Sequence, residues 1–430
     1  MKAVIILVLL FSFMAIRIPI AFSLLLSSGF YCLFLSDISI IVIVHRMSTS
    51  MESYPLIAIP LFILAAEIMN RGLITKLIFE FADACIGHIS GGLGHANVLA
   101  SMIFAGMSGS EVADIAGLGK IELKIMGEKG YDLPFSAAIT GASAIIGPVI
   151  PPSILMILYG AITNQSVGRL FAGGIFPGVL VGFSLMVTVY IKSKKREYYK
   201  KNSFPGIKII FKTFLQAFPS LLLPVIIIGG IIKGFFTPTE AGVIAVMYAF
   251  VLTFLIYRNL PFNEIFPILY ESVMATAVTI IIVGAAAVFG WIITLENIPI
   301  FIRDMILNLT DQKWIVLLLM NVILLIEGCF FSITSIMLIM TPMMIPLANY
   351  FGINLIHLGV VMVLNLSLGF FTPPIGVGLY ILSDTTGLSV ERISQEMIPF
   401  YLPIVLVLLL ITYFPDIVLL LPRLLMGGNM

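Results

Sequence analysis

The sequence predicts an all-α polytopic membrane protein made of two inverted repeats, and three observations carry that expectation. Of 430 residues, 60% are hydrophobic and only 10% are charged. Apolar runs long enough to form membrane helices recur along the whole chain. Two Pro-Pro pairs, Pro151-Pro152 and Pro373-Pro374, stand 222 residues apart in matching surroundings.

A soluble domain keeps about a quarter of its residues charged. A chain with a mean hydropathy of +1.14 cannot cover a water-facing surface, so lipid is its solvent. About a dozen membrane segments are expected, at roughly 20 apolar residues each. The net charge of +1 argues against a nucleic-acid partner, which needs a basic face. Cys32, Cys85 and Cys329 have no metal or redox spacing and read as small core residues. No nucleophile–base–acid set assembles from the 4 histidines, so an enzyme is not expected.

The apolar start superficially resembles a signal peptide. Arg17-Ile18-Pro19 interrupts it without an evident cleavage site, so a retained first helix is expected. Candidate helices follow at 4–35, 53–70 and 73–90, then an apolar region at 95–131, a segment at 134–163 and a helix at 168–191. The second half gives helices at 215–234, 240–257 and 268–296, a region at 314–350, a segment at 355–385 and a helix at 397–421. The loop 192–213 holds Lys192, Lys194, Lys195, Arg196, Lys200, Lys201, Lys208 and Lys212. A short basic loop is retained in the cytoplasm; a lipid-headgroup patch is the alternative. Lys120, Lys124, Lys129, Arg46 and Arg258 then fall inside and both termini outside. Arg71 and Lys76 fit this scheme less well, so helix 73–90 is expected to lie partly along the interface.

The repeat is legible around the prolines. Gly147 aligns with Gly369, Thr163 with Thr385 and Pro177 with Pro399. Each Pro-Pro segment follows a long apolar region with a break, at 106–110 and 332–335. An odd number of crossings separates corresponding elements, so the halves are inverted, a signature of secondary transporters. Proline lacks an N–H and cannot bond the carbonyl four residues earlier. Pro151 and Pro373 should therefore free the carbonyls of Gly147 and Gly369, and Pro152 and Pro374 those of Pro148 and Phe370. Bare carbonyls in hydrocarbon are costly, and sodium prefers such oxygens. Each break is a candidate cation site, to which Ser108, Ser110, Thr334 and Thr372 could add oxygens. A kink healed by neighbouring helices is the alternative.

Single charged residues carry plainer expectations. Glu111 and Asp114 read as caps or structural partners of the helix after the first break. Glu67 could pair with Arg71 at i+4, and Glu240 could sit at a helix start with Thr239 as cap. Glu327 receives no role, and His88 and His95 lack a third metal ligand.

At these residues the sequence resembles the large membrane (M) subunit of tripartite ATP-independent periplasmic (TRAP) transporters, the DctM-like family. The resemblance rests on Ile59-Pro60-Leu61-Phe62-Ile63-Leu64-Ala65, Ser108-Gly109-Ser110-Glu111-Val112-Ala113-Asp114, Ile150-Pro151-Pro152-Ser153, Phe236-Thr237-Pro238-Thr239-Glu240-Ala241-Gly242 and Gly369-Phe370-Phe371-Thr372-Pro373-Pro374-Ile375-Gly376. It implies sodium-coupled uptake of an organic acid, without ATP, in the bacterial inner membrane. It implies two partners, a small four-helix membrane subunit (Q-type) and a periplasmic substrate-binding protein. It implies an elevator, with re-entrant hairpins at 95–131 and 314–350. Scaffold helices would then span 1–90 and 214–310, and transport-domain halves 91–191 and 311–430, joined by the cytoplasmic loop 192–213. Two sodium sites are implied: one at Ser108, Ser110, Gly147, Ile150 and Pro152, the other at Gly328, Gly369, Thr372 and Ile375. Substrate would meet Ser108, Ser153, Ser332, Thr334 and Ser335. Family members commonly carry an acid where this chain has Ser332, and Glu327 does not fill that position, so sialic acid is not specified. A stand-alone sodium-coupled anion transporter and an intramembrane enzyme are the competing readings.

Replacing Pro151 with Ala restores an N–H at the first break. Pro151→Ala is expected to weaken the sodium dependence of uptake more than expression, and a sodium titration of uptake checks it.

Overall fold

The computed structural model describes residues 2–71, 73–195 and 204–427, and among them there is no strand. Eight of the described helices are long and apolar enough to cross a membrane. Large apolar side chains such as Phe266 and Ile207 are 80% and 78% exposed, as a lipid-facing surface requires.

The first repeat opens with α1 (Lys2–Ala15) and α2 (Ile20–Phe30). The expected single helix 4–35 is thus two, parted at Arg17, whose φ is 66°, and Pro19. Next come α3 (Ile41–Met51), α4 (Ala58–Arg71) and the short α5 (Ile74–Ile86). The first hairpin is α6 (Gly92–Ser108), then α7 (Glu111–Asp114), a π turn (Ile115–Gly119) and α8 (Lys120–Glu128). The first broken helix is α9 (Leu133–Ala144) and α10 (Ile154–Thr163), followed by α11 (Val167–Lys195).

The second repeat runs through α12 (Ile207–Ile232), α13 (Pro238–Phe250), α14 (Ile265–Leu295) and α15 (Ile298–Leu309). Its hairpin is α16 (Lys313–Phe330) with α17 (Ile333–Tyr350), and its broken helix is α18 (Leu355–Phe370) with α19 (Val377–Thr386). The chain closes with α20 (Val390–Tyr413) and α21 (Pro415–Met426), parted where Pro415 interrupts the expected single helix. α3 and α15 were not expected. Each contains charged residues, Arg46 in one and Arg303 and Asp304 in the other, which lower its hydropathy.

One sidedness expectation fails. Arg71 bonds Glu264, just before α14, at 2.8 Å, and also pairs with Glu271. The Arg46 guanidinium sits 4.9 Å over Trp291, near the other end of the same helix. A helix of this length spans about 46 Å at 1.5 Å per residue. Arg46 therefore lies on the face opposite Arg71 and Arg258. The cause is α3, which with α4 makes one crossing alongside α14. Arg71, expected to fit less well, lies on the basic-loop face; Arg196, Lys200 and Lys201 of that loop lie outside the described residues. Arg71 takes Glu264 and Glu271 rather than Glu67. The cap of α13 is Thr237, not Thr239: its Oγ1 accepts the Glu240 N–H at 3.3 Å, and Glu240 accepts the Thr237 N–H at 2.7 Å.

The hairpins open in opposite directions. Gly91, at the base of the first, packs against Ser193 beside the basic loop. At the base of the second, Lys313 donates to the Gly352 carbonyl at 3.3 Å, on the far face. Each hairpin is tied to its broken helix by buried polar groups. Asn97 donates to Thr140 at 2.8 Å and to Glu122 at 2.6 Å, and Asn365 donates to Asn321 at 2.7 Å. Glycines let the second pair touch: a Cβ on Gly328 would lie 3.0 Å from the Gly369 Cα.

Gly328→Val should overpack this crossing and destabilise the protein by about 1–3 kcal/mol. Gly127→Ala, on open space in α8, should not, and thermal melts of both variants check the contrast.

Candidate cation and substrate site

At the first break a hairpin tip meets an unwound helix. α6 ends at Ser108, and Gly109 turns the chain with φ 61°, a conformation glycine adopts without steric cost. Ser110 caps α7, its Oγ accepting the Ala113 N–H at 3.5 Å. After α9 the chain is non-helical from 145 to 153, and Ser153 caps α10 by accepting the Met156 N–H at 3.2 Å. Both Pro-Pro bonds are cis.

Tip and break are in direct contact. A Cβ on Gly109 would strike the Pro152 carbonyl, and one on Gly147 would lie 3.0 Å from Asp114 Oδ2 and 3.2 Å from the Ser110 carbonyl carbon. Ser108, Ser110, Gly147 and Pro152 are thus brought together. The Ile150 side chain packs on Gly178 of α11. Among the described residues, no backbone donor reaches the carbonyls of residues 147–152.

Asp114 is not a cap. Its Oδ1 accepts from the Ser108 hydroxyl at 2.6 Å, its Oδ2 has no partner, and it is 2% exposed. Hydroxyls, bare carbonyls and an unused carboxylate oxygen form an all-oxygen donor set that fits a hard monovalent cation.

The second break is arranged differently. The Gly369 carbonyl is not bare, because the chain folds back and Thr372 N–H reaches it at 2.8 Å. Thr372 Oγ1 donates to Leu368 O at 2.7 Å, and Tyr401 donates to the Phe371 carbonyl at 2.6 Å. Among the described residues, no backbone donor reaches the carbonyls of Phe370 and of residues 372–375. Gly328 abuts Gly369, and the Gly376 N–H bonds Cys329 O at 2.9 Å, which places Ile375 beside the hairpin tip.

Helix ends polarise the centre. α6, α9, α16 and α18 direct their C-termini, the negative dipole ends, at the two breaks. α10, α17 and α19 begin there and present N-termini, which favour an anion. A cavity of about 680 Å³ opens from the tips toward the basic-loop face, between α4 and α14 on one side and the hairpins on the other. Ser108, Ser110, Ser332 and Thr334 line it. Ser153 and Ser335 do not: both are fully buried, one as a cap and the other bonded to Ser332 at 2.5 Å. Glu67, Asn70, Lys120 and Glu271 also line the cavity. Their place was not legible because they come from three helices, α4, α8 and α14, with no shared motif.

Residues 7–417 match the family described as the tripartite ATP-independent periplasmic transporter, DctM component. The chain is 39% identical to the sialic acid TRAP transporter large permease of Vibrio cholerae, covering 95% of this chain and 96% of that one. It is 38% identical to the C4-dicarboxylate TRAP transporter large permease of Pseudomonas aeruginosa, covering 93% and 94%. It is 34% identical to the 2,3-diketo-L-gulonate TRAP transporter large permease of Escherichia coli, covering 94% and 95%. Its fold resembles the Alcanivorax borkumensis YdaH transporter, with a TM-score of 0.59 over 87% of each chain at 15% identity. The chain therefore belongs to the DctM-component family of TRAP transporters, as a large permease subunit and multi-pass protein of the bacterial inner membrane, not an enzyme.

Proposed function

We propose that this chain translocates an organic acid inward, driven by sodium, after a periplasmic binding protein delivers it and with a small four-helix subunit alongside. The observation that carries this reading is the cavity at the two hairpin tips, which also reaches Ile154 and Phe370, the helix ends that flank the unwound stretches. Relatives are named for sialic acid, C4-dicarboxylates and diketogulonate, all organic acids.

The site supports a division of labour. A substrate carboxylate sits at the N-termini of α10 and α17, contacted by Ser108, Ser332 and Thr334. Ser153 and Ser335 hold those helix starts in place. Sodium, bound at the breaks, supplies positive charge that offsets the anion. Ser108, Ser110 and the carbonyls of Gly147, Ile150 and Pro152 hold the first ion. Thr372, Ile375 and the Gly328 carbonyl hold the second, and the Gly369 carbonyl, already bonded by the Thr372 N–H, adds its remaining lone pair.

An elevator is the motion this packing favours. The polar clamps at Asn97 and Asn365 make each hairpin move with its broken helix, as halves 91–191 and 311–430. α4 and α14 belong to the fixed frame, segments 1–90 and 214–310. Hairpin and frame meet where Gly117 packs on Asn70. Arg71, Lys120 and Glu271, which line the cavity, lie toward the basic-loop face, which supports an inward-open state.

In proteoliposomes holding the chain, its small subunit and binding protein, an inward sodium gradient should drive organic-acid uptake. Equal uptake with potassium in place of sodium would sink the coupling. Asn70→Cys with Gly117→Cys should trap the inward-open state: oxidation is expected to stop uptake and reduction to restore it. Full uptake by the oxidised protein would count against the elevator.

A further inference from the structure

The two candidate cation positions differ in charge. At the 222-residue offset Ser110 falls on Ser332 and Gly147 on Gly369, but Asp114 falls on Ile336. One repeat places a carboxylate where the other places an apolar side chain that is 3% exposed.

Asp114 is itself 2% exposed. The Ser108 hydroxyl holds Oδ1 at 2.6 Å, while Oδ2 accepts from nothing and points at Gly147. Among the described residues no lysine or arginine pairs with it. The charged groups that act on it are acids, Glu111 and Glu122. A buried carboxylate with a spare oxygen and an acidic neighbour is strongly unfavourable unless a cation or proton joins it. The Pro152 carbonyl lies against the hairpin tip at Gly109, Gly147 lies against Asp114, and among the described residues no backbone donor reaches the carbonyls of residues 147–152.

Resting on the sodium-coupled reading above, we infer that Asp114 binds the first cation directly through Oδ2, with Ser108 as the positioning residue that fixes the carboxylate through Oδ1. The first position then carries a full negative charge of its own, and it fills before substrate arrives. The second position, which has no counterpart of Asp114, draws its charge balance from the anionic substrate and fills with it. The order of binding is thus written into one residue that breaks the repeat symmetry.

The test uses the full chain purified with its co-expressed small subunit, without substrate. Thermal stability is titrated with sodium chloride, choline chloride keeping ionic strength constant. Wild type should show a saturable rise. Asp114→Asn should weaken the apparent sodium affinity ~10-fold or more. Thr372→Ala should keep the wild-type response, because the second position is not filled without substrate.

A wild-type response in Asp114→Asn overturns the inference, since a protonated Asp114 would be mimicked by asparagine. If Ser110→Ala loses the response at the same time, sodium binding at the first position stands without Asp114. Indifference of the wild type to sodium overturns both the inference and the coupling. Should Asp114→Asn fail to fold, Asp114→Glu decides, because it keeps the charge and moves the oxygen. An altered preference between sodium and lithium is expected, and unchanged affinity and preference overturn the inference.

Discussion

A backbone carbonyl placed in hydrocarbon without a donor is the constraint on which the rest of this molecule depends. Among the described residues the middle of the fold is non-helical at residues 145–153 and 371–376 and at the hairpin tips beside them, 109–110 and 331–332. Such backbone is tolerated at membrane depth only when protein surrounds it or a cavity lies beside it. Both conditions hold: each hairpin tip covers one break, and the cavity meets the tips. The hairpins follow from the breaks as much as the site does, because without them the freed carbonyls would face lipid.

The same arrangement sets the electrostatics. Helix C-termini and carbonyls make the breaks attractive to cations, and the helix starts beside them attract anions. Opposite charges are therefore accommodated a short distance apart without a dense cluster of ionised side chains. Cations on the cavity wall are few: Arg71 is already engaged by Glu264 and Glu271, while Lys120 is exposed. Among the candidate residues quoted for binding, hydroxyls and carbonyls dominate, which suits a site that must bind and release. Asp114 is the exception, and it makes the two halves chemically unequal.

Packing explains how a polar centre persists in an apolar chain. The Asn97–Thr140–Glu122 and Asn321–Asn365 clusters fasten each hairpin to its own broken helix rather than to the frame. Contact with the frame relies instead on close approach, as at Gly117 and Asn70. Polar bonds made inside each hairpin pair, rather than across to α4, are what the proposed elevator needs, because a sliding unit must not strand a hydrogen bond.

Much of this was legible from residues alone. Hydropathy fixes a membrane protein, the 222-residue offset fixes the repeat, and the Pro-Pro pairs fix where helices break, because each depends on local chemistry or on position along the chain. Hydropathy could not find α3 or α15, whose charged residues dilute the signal, and so it misplaced Arg46. Proline chemistry could not foresee that Thr372 returns an N–H to Gly369, or that Thr237 rather than Thr239 caps α13. Asp114 looked like a cap because a helix start lies four residues before it. Its true surroundings, Ser108 on one oxygen and Gly147 facing the other, come from two segments that meet only when the tip folds onto the break. Sequence determined which groups lack partners along the chain; tertiary structure alone decided which partners arrive through space, because that depends on contacts between residues distant in sequence.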